Sequence, residues 1–582
     1  MLVAVGATLS GFALADTPPA GSAAAPSAAP APAAAPAPAA AAAPAAAPAP
    51  AAAAPAGSAP ALPPYFSGAN AEGKPATWPD PTGAAAGVWA TPAGDGKGDV
   101  PSALSTGDVY DRIAHNLFSV NMVWTLITGF LVMFMQAGFA MVETGMCRAK
   151  NAAHTFTMNF MIYPLGCLGF WAYGFAFGWG NWFNGPVPPG WYSSLGPGTS
   201  VLNSGITLAG KYGILGTKGF FLGSSVNDTA VMGLFFFMMV FMDTTATIPT
   251  GAMAERWAWK NFVIYGLWVA APYCIYANWV WGGGWLAQAG VNWHLGHGAV
   301  DFAGSGVVHA MGGIIALAGG ICIGPRIGKY IDGKAQTIPA HHLPMAIVGC
   351  FILAFGWFGF NPGSSLAGTD LRISFIVVNT MLASVASAFS CMLYMMMRGE
   401  KPDPGMLVNG MLAGLVAITA PCSFVNPLGA VIIGLIAGVL VVIAARFIDT
   451  RLKVDDPVGA IAVHGVNGLW GVLSVGIFAT GEYGAGWNGV VRDDMVKQYG
   501  ADGVRGILYG DASQLAAQAL DCVVVFVFGF AMAYVWFKIS DKITPLRVSK
   551  ETELAGLDMP EMGAYAYPDF ALKDEAAKSP AE

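Results

Sequence analysis

Asp301-Phe302-Ala303-Gly304-Ser305-Gly306-Val307-Val308-His309-Ala310-Met311-Gly312-Gly313 places an Asp eight residues ahead of a His inside a small and apolar run. The run stays apolar to Gly324, where Pro325 and Arg326 end it. An ionisable His in so apolar a segment is costly, which makes it a functional candidate. The competing reading is a core His satisfied by a backbone carbonyl. A second stretch weighs against that reading. In Asp456-Pro457-Val458-Gly459-Ala460-Ile461-Ala462-Val463-His464-Gly465-Val466-Asn467-Gly468 an Asp again stands eight residues ahead of a His. Val precedes each His and Gly follows four residues later.

The chain around these stretches is suited to lipid. Of its 582 residues, 55% are hydrophobic and 10% charged, against about 25% charged in a soluble domain. Apolar runs near the ~20 residues that span a bilayer recur from about Asn116 to Trp536. The 76 Gly suit close helix packing in lipid. A net charge of −7 is small for this length and points away from nucleic acid. The eight Cys form neither a disulfide framework nor a metal-spaced cluster.

Taken in order, residues 1–15 read as a signal peptide ending in the A-x-A-like site Ala13-Leu14-Ala15. Residues 16–111 are Ala/Pro-rich and then polar, and read as a disordered tether. Residues 112–545 form the membrane domain and 546–582 a cytoplasmic tail. The fold class expected is an all-α membrane protein with eleven transmembrane helices. They fall at about 117–146, 153–180, 227–253, 261–284, 302–324, 343–363, 370–397, 404–422, 425–447, 458–480 and 514–541. Loops after odd-numbered spans are rich in Lys and Arg, among them Arg148, Lys150, Arg256, Arg326, Arg398 and Arg446. By the positive-inside rule those loops are cytoplasmic, so the N-terminus is outside and the C-terminus inside.

The two Asp–His stretches open spans five and ten, which enter the membrane from opposite sides. That is the mark of a five-plus-five inverted repeat, as in many transporters. Eight helical residues advance about 12 Å across a hydrocarbon core of about 30 Å, so both His arrive near the midplane. Asp456 reads as a helix cap, and Asp301 has the same bland role open to it.

At these stretches the chain resembles the ammonium transporter family, the Amt/Mep/Rh group. The resemblance covers about residues 112–567. It rests on the Asp301–Arg326 run, Asp-Asp-Pro…Val-His-Gly at 455–465 and Gly-Ala-Met-Ala-Glu-Arg at 251–256. Trp-Gly-Gly-Gly at 281–284 and Gly-Trp-Phe-Gly-Phe-Asn-Pro-Gly-Ser at 356–364 also match. Gln-Ala-Gly-Phe-Ala-Met-Val-Glu-Thr-Gly at 136–145 is closer to the Amt branch than to the Rh branch. The resemblance implies a homotrimer with a pore through each subunit, and nitrogen uptake across the cell membrane (a bacterial inner membrane). It implies an outer ammonium site at Phe241, Trp281 and Ser364 and a gate at Phe237 and Phe360. Asp301 would be a structural support, and His309 and His464 would line the pore. Methylammonium would be a second substrate. Glu553-Leu554-Ala555-Gly556-Leu557-Asp558…Gly563-Ala564-Tyr565-Ala566-Tyr567 resembles the family's regulatory tail, which implies a P-II-type regulatory partner. Met562 stands where that tail leads one to expect His, and Ala564 where an acidic or small polar residue is usual.

The physics of those residues points the same way. By parity, Phe237 and Phe241 lie in the outer half of span three, and Trp281, Phe360 and Ser364 at the outer ends of spans four and six. Aromatic faces attract a cation by about 0.5–2 kcal/mol, Trp most strongly. A hydroxyl such as Ser364 accepts a hydrogen bond from an ammonium donor. A charged ammonium in a dry pore meets a large desolvation cost. Imidazoles both donate and accept, so a His pair can line a path for ammonia and relay the proton.

Three other readings complete the picture. Asp243, deep in span three, is turned about 200° from Phe241; it bonds a neighbouring helix or sits at a subunit contact. His294 and His297 form an H-x-x-H in an outer loop, read as solvated because two ligands alone do not make a metal site. An ammonium sensor acting through a partner protein is the alternative function. A membrane-embedded enzyme with a His-pair metal ranks last, since the repeat brings no third ligand. No cofactor is expected.

Overall fold

The computed structural model describes residues 106–182, 193–195, 197–500 and 502–569. The signal-peptide reading and nearly all of the tether lie outside them. We number the long helices α1 Thr106–Met146, α2 Ala149–Trp179, α3 Thr229–Ala252 and α4 Trp259–Val280. Then come α5 Ser305–Ile323, α6 Leu343–Gly363, α7 Ile373–Met397 and α8 Pro404–Ile418. The last are α9 Pro427–Leu452, α10 Ile461–Phe478 and α11 Ala512–Ile543.

Ten of these are long and apolar enough to cross a membrane by length and composition. The fold is thus that of a multi-pass helical membrane protein. α8 is apolar but shorter, 15 residues. It ends before the expected residue 422 because its last turn is spent elsewhere. The carbonyls of Thr419 and Ala420 accept from the amides of Ala303 and Phe302 at 3.1 and 3.2 Å. The Ser305 hydroxyl, at the start of α5, bridges Val416 O and Ala420 N at 2.7 Å each. α1 reaches back to Thr106, into the segment read as tether. Two short hairpins interrupt the all-helical expectation: β1 Gly205–Leu208 with β2 Tyr212–Gly216, and β3 Tyr330–Ile331 with β4 Lys334–Ala335. Each turns through a pair of left-handed residues, Ala209-Gly210 and Asp332-Gly333.

Local chemistry sets the helix starts. Asp228, Asp403, Asn426 and Asp511 each accept a backbone N–H of the first turn with their side chains, and Pro follows at once in α8 and α9, where its missing N–H costs nothing. Glycines set the helix spacing. On α1 and α6, a β-carbon at Gly349 would lie 2.7 Å from Gly138 O, and one at Gly138 2.9 Å from Gly349 O. On α7 and α9, β-carbons at Gly434 and Gly438 would lie 2.2 and 2.0 Å from the carbonyls of Ala383 and Ser387. Large apolar side chains such as Phe351, Phe355, Phe389 and Val527 point outward, as a lipid-facing surface requires.

A buried ionic cluster locks the end of the molecule that carries the basic loops. Arg326, just past α5, donates to Asp455 at 2.8 and 2.9 Å and to Glu255 at 3.0 Å. Glu255 also pairs with Arg148 at 2.5 Å. Arg256 donates to four carbonyls, including Gly324 O and Asp455 O. Burial alone would push the Asp455 carboxyl up. The hydrogen bonds of Arg326 and the charges of Arg256 and Arg326 instead hold it well below the usual carboxylate range. Asp455→Ala is expected to cost about 3–5 kcal/mol, since it removes one of the two carboxylates, Asp455 and Glu255, that offset the buried guanidinium groups of Arg256 and Arg326. The depressed folded value makes this contribution complete at neutral pH. It is lost as pH falls below the unfolded value of about 3.9. Thermal unfolding in detergent should therefore show a gap between wild type and D455A that narrows in acid.

The tail described to residue 569 is docked, not free. Glu553 accepts from Ile327 N at 2.7 Å and from Arg547 at 2.7 and 2.9 Å. Asp558 accepts from His154 N at 2.9 Å, and Glu561 from Trp259 N at 2.8 Å. Tyr567 OH lies 2.9 Å from His341 Nε2.

Candidate functional site

The two Asp–His stretches fold alike. Asp301 stands ahead of α5 and caps it completely. Oδ1 accepts from Gly304 N and Ser305 N at 2.8 and 2.9 Å, and Oδ2 from Gly306 N and Val307 N at 2.8 and 2.9 Å. Asp456 caps α10 through Gly459 N at 3.0 Å and Ile461 N at 2.7 Å. The chain turns into each helix at a left-handed glycine, Gly304 (φ 109°) and Gly459 (φ 81°). Each helix then opens with a π-turn, Ser305–Ala310 and Ile461–Val466, which carries the His. Only part of the eight-residue interval is therefore helical, and the reading of a 12 Å helical rise is corrected to that extent.

The two His meet. Nδ1 of His309 and Nδ1 of His464 are 3.2 Å apart, with ring centroids at 5.3 Å. Two neutral imidazoles satisfy this contact when one Nδ1 donates and the other accepts. The donor ring then carries a bare Nε2 and the acceptor ring an Nε2–H. His309 Nε2 has no hydrogen-bond partner among the described residues. The Gly four residues beyond each His has its reason here. A β-carbon at Gly313 would lie 2.1 Å from Gly465 N, and one at Gly468 2.6 Å from Ala310 N. The helices cross backbone to backbone, and that crossing brings the His side chains together.

A column of rings stands on the pair. His309 stacks on Trp357 at 5.0 Å and on Phe360 at 5.4 Å. Phe360 stacks on Phe241 at 4.0 Å and 24°. Phe241 meets Trp281 edge-on at 6.0 Å and Phe237 at 4.7 Å. Trp281 Nε1 donates to Asp301 O at 2.6 Å, so Asp301 touches the column through its carbonyl and the α5 cap through its carboxylate. Ser364 lies one turn beyond Phe360 and donates to Phe360 O at 2.8 Å, which leaves its lone pairs as acceptors. Trp281 and Ser364 keep 5% exposure, where Phe237, Phe241 and Phe360 keep 0–1%. His464, at the other end, also keeps 5%, so the column is sealed most tightly in its middle. The ring stacked against Phe360 is Phe241, with Phe237 next to Phe241.

Other residues fall elsewhere. Asp243 is buried in α3 near Tyr163 and Cys167 of α2, and its Oδ1 has no hydrogen-bond partner among the described residues. The H-x-x-H loop is not uniformly solvated. His297 is 1% exposed, with Nε2 3.4 Å from Asp502 Oδ1, while His294 is exposed. Among the described residues there is no group of three or more His, Cys, Asp or Glu that could hold a metal ion.

Three contributing residues escaped the sequence reading. Trp357, under His309, bonds Thr419 Oγ1 through Nε1 at 2.9 Å; its spacing of three from Phe360 and seven from Ser364 is a helical stripe that could have revealed it. Thr245 donates to Val308 O at 3.2 Å in the π-turn. Glu143 lines a cavity with His464.

Against known proteins, the model of the Ammonium Transporter Family matches residues 123–567. Ammonium transporter Amt2 of Archaeoglobus fulgidus is 44% identical over 461 residues, 78% of this chain and 90% of that protein. A solved structure described as a sensor Amt protein superposes with a TM-score of 0.64 at 35% identity, covering 77% of this chain and 99% of that one. The crystal structure of Candida albicans Mep2 superposes with a TM-score of 0.61 at 25% identity, covering 82% and 96%. With the family model spanning most of the chain and a 44% identical relative spanning 78% of it, the chain belongs to the ammonium transporter family, on its Amt branch.

Proposed function

We propose that this protein carries ammonium across a membrane, recognising the cation at the mouth of the ring column and passing it at least partly as ammonia along the His pair. The observation that carries the reading is the 3.2 Å contact between His309 and His464 at the foot of that column. Trp281, Phe241 and Ser364 form the outer site: two π-faces for the cation and a hydroxyl acceptor. The Phe241–Phe360 stack, with Phe237 beside it, is the constriction, and the cation sheds a proton there because a dry aromatic slot cannot solvate charge. His309 and His464 then line the path and relay the proton.

The matching caps, π-turns and crossing glycines support a five-plus-five inverted repeat, with α8 completing eleven spans. The basic ends of α1, α3 and α5 support a cytoplasmic location for that end, with the N-terminus outside. A homotrimer in the cell membrane, uptake of methylammonium and binding of a P-II-type regulator at the tail complete the reading. A second reading, ammonium sensing through a partner, is favoured by the likeness to the sensor Amt protein. Ammonium flux into proteoliposomes separates them: sensing without transport requires ligand binding with no flux.

The stack has its own test. Phe360→Ala is expected to remove three ring contacts, to Phe241, His309 and Trp357, and open the constriction, at a stability cost of about 3–5 kcal/mol from the cavity. Discrimination of ammonium over potassium should fall while the half-saturating ammonium concentration changes little. Competitive flux assays with both cations would measure this. Unchanged discrimination would remove Phe360 from the gate.

A further inference from the structure

α1 carries a carboxylate that the column does not use. Glu143 is 3% exposed. Oε2 accepts from Asn159 Nδ2 at 2.7 Å and from Thr250 Oγ1 at 2.8 Å, and Oε1 lies 3.1 Å from the same hydroxyl. Asn159 is held in turn by Thr247 at 2.8 Å. These partners are neutral, and the Thr250 hydroxyl also reaches Thr247 O at 2.5 Å. Among the described residues, no Lys, Arg or His lies within ion-pair distance of Glu143. A polar joint between helices needs only amides and hydroxyls. A carboxylate without a counter-cation among apolar helices is expensive, and such a group marks an ion path by default.

Its position matches that default. Glu143 lines a cavity of about 20 Å³, which His464 and Asn409 also line; that is room for one water-sized group. Asn409 Nδ2 donates to Val458 O at 3.0 Å, so its carbonyl oxygen is the group left to accept. Asn409 and Val458 also line a second, wider cavity, which Asp456 and Lys329 line as well. The first cavity therefore lies between the His pair and the end of the molecule that carries the basic loops.

We propose that Glu143, Asn409 and His464 form an inner ammonium site. This rests on the transport reading given above and adds to it a second place where the substrate is held as a cation. Ammonium is a monovalent donor of four N–H groups. An uncompensated carboxylate with an amide carbonyl beside it supplies the charge and the acceptors it lacks in an apolar pore. On influx the site holds ammonium re-formed beyond the His pair; on efflux it loads ammonium from the cytoplasmic face. Asn159 and Thr250 are positioning residues that aim the carboxylate.

Initial rates of ammonium flux in orientation-sorted proteoliposomes test this, with ammonium presented to one face at a time. Glu143→Gln keeps the volume and an acceptor for Thr250 and Asn159. It is expected to raise the KM for ammonium at the cytoplasmic face about tenfold, the loss of one charge-assisted contact, and to leave the outer-face KM within about twofold. Glu143→Asp should recover part of the inner-face affinity. Asn409→Ala should raise the inner-face KM in the same direction, and it decides the matter if E143Q does not yield folded protein. A merely structural role would move both faces together or only the amount of folded protein. Equal shifts at the two faces, or none, overturn the inner site while wild-type flux leaves the transport reading standing. Absence of wild-type flux from either face overturns both.

Discussion

Ammonium flux through the His309→Ala/His464→Ala double variant is expected to fall at least ~100-fold in proteoliposomes. Each imidazole offers a transiting ammonia one donor or acceptor in a segment that holds little else polar. Losing such a partner costs a buried polar solute about 1–3 kcal/mol, roughly ten- to hundredfold in rate for each His. The 3.2 Å contact couples the two groups, so the double loss should be smaller than the product of the single losses. The remaining ring is not a full substitute, because it loses the neighbour that sets its tautomer. Trp281, Phe241 and Ser364 are untouched, so ammonium binding at the outer mouth should persist. Wild-type flux in the double variant would sink the His relay and with it the proposed crossing as ammonia.

Gly313→Leu is expected to be strongly destabilising. Even the β-carbon would lie 2.1 Å from Gly465 N and 2.4 Å from its Cα. Those are backbone atoms of the opposing π-turn, which cannot rotate aside as a side chain does. Overpacking in an interior costs about 1–3 kcal/mol and more where backbone must move, so we expect the upper end or beyond. Any relief separates α5 from α10 and pulls His309 from His464, so flux should fall even in the folded fraction. Gly429→Ala is the contrast. Its β-carbon would meet its nearest neighbour, Asn426 Oδ1, at an ordinary 3.4 Å. In a helix that exchange stabilises by up to about 1 kcal/mol. Thermal unfolding of both variants in detergent, beside flux, checks the pair; similar midpoints for the two would remove the crossing argument.

Much of the architecture is legible in the residues. The span read at 343–363 is the helix Leu343–Gly363. The span read at 425–447 contains the helix Pro427–Phe447, capped by Asn426 as its side chain suggests. Composition and run length suffice because a bilayer leaves an exposed chain few options besides a helix. Other parts were illegible for definite reasons. Phe237 and Phe241 are four apart on one face of α3, so spacing leaves either able to stack on Phe360; the rotation of α3 against α6 selects Phe241. Glu143 sits in a motif read only for its family likeness, and nothing local says that Asn159, Thr250 and His464 gather round it. Nothing in the tail's own residues names the partners of its acidic groups, Ile327 N, His154 N and Trp259 N, which lie far off in the chain.

By itself the sequence determined most of the helical spans, the two Asp–His stretches and the family, because these follow from hydropathy and motif spacing within one segment. Only the tertiary structure decided that His309 and His464 touch, that Phe241 closes on Phe360, and that Glu143 shares a cavity with His464. Each of those depends on how far two helices approach and how they are rotated, and glycines, backbone hydrogen bonds and buried ion pairs from segments distant in the chain set both.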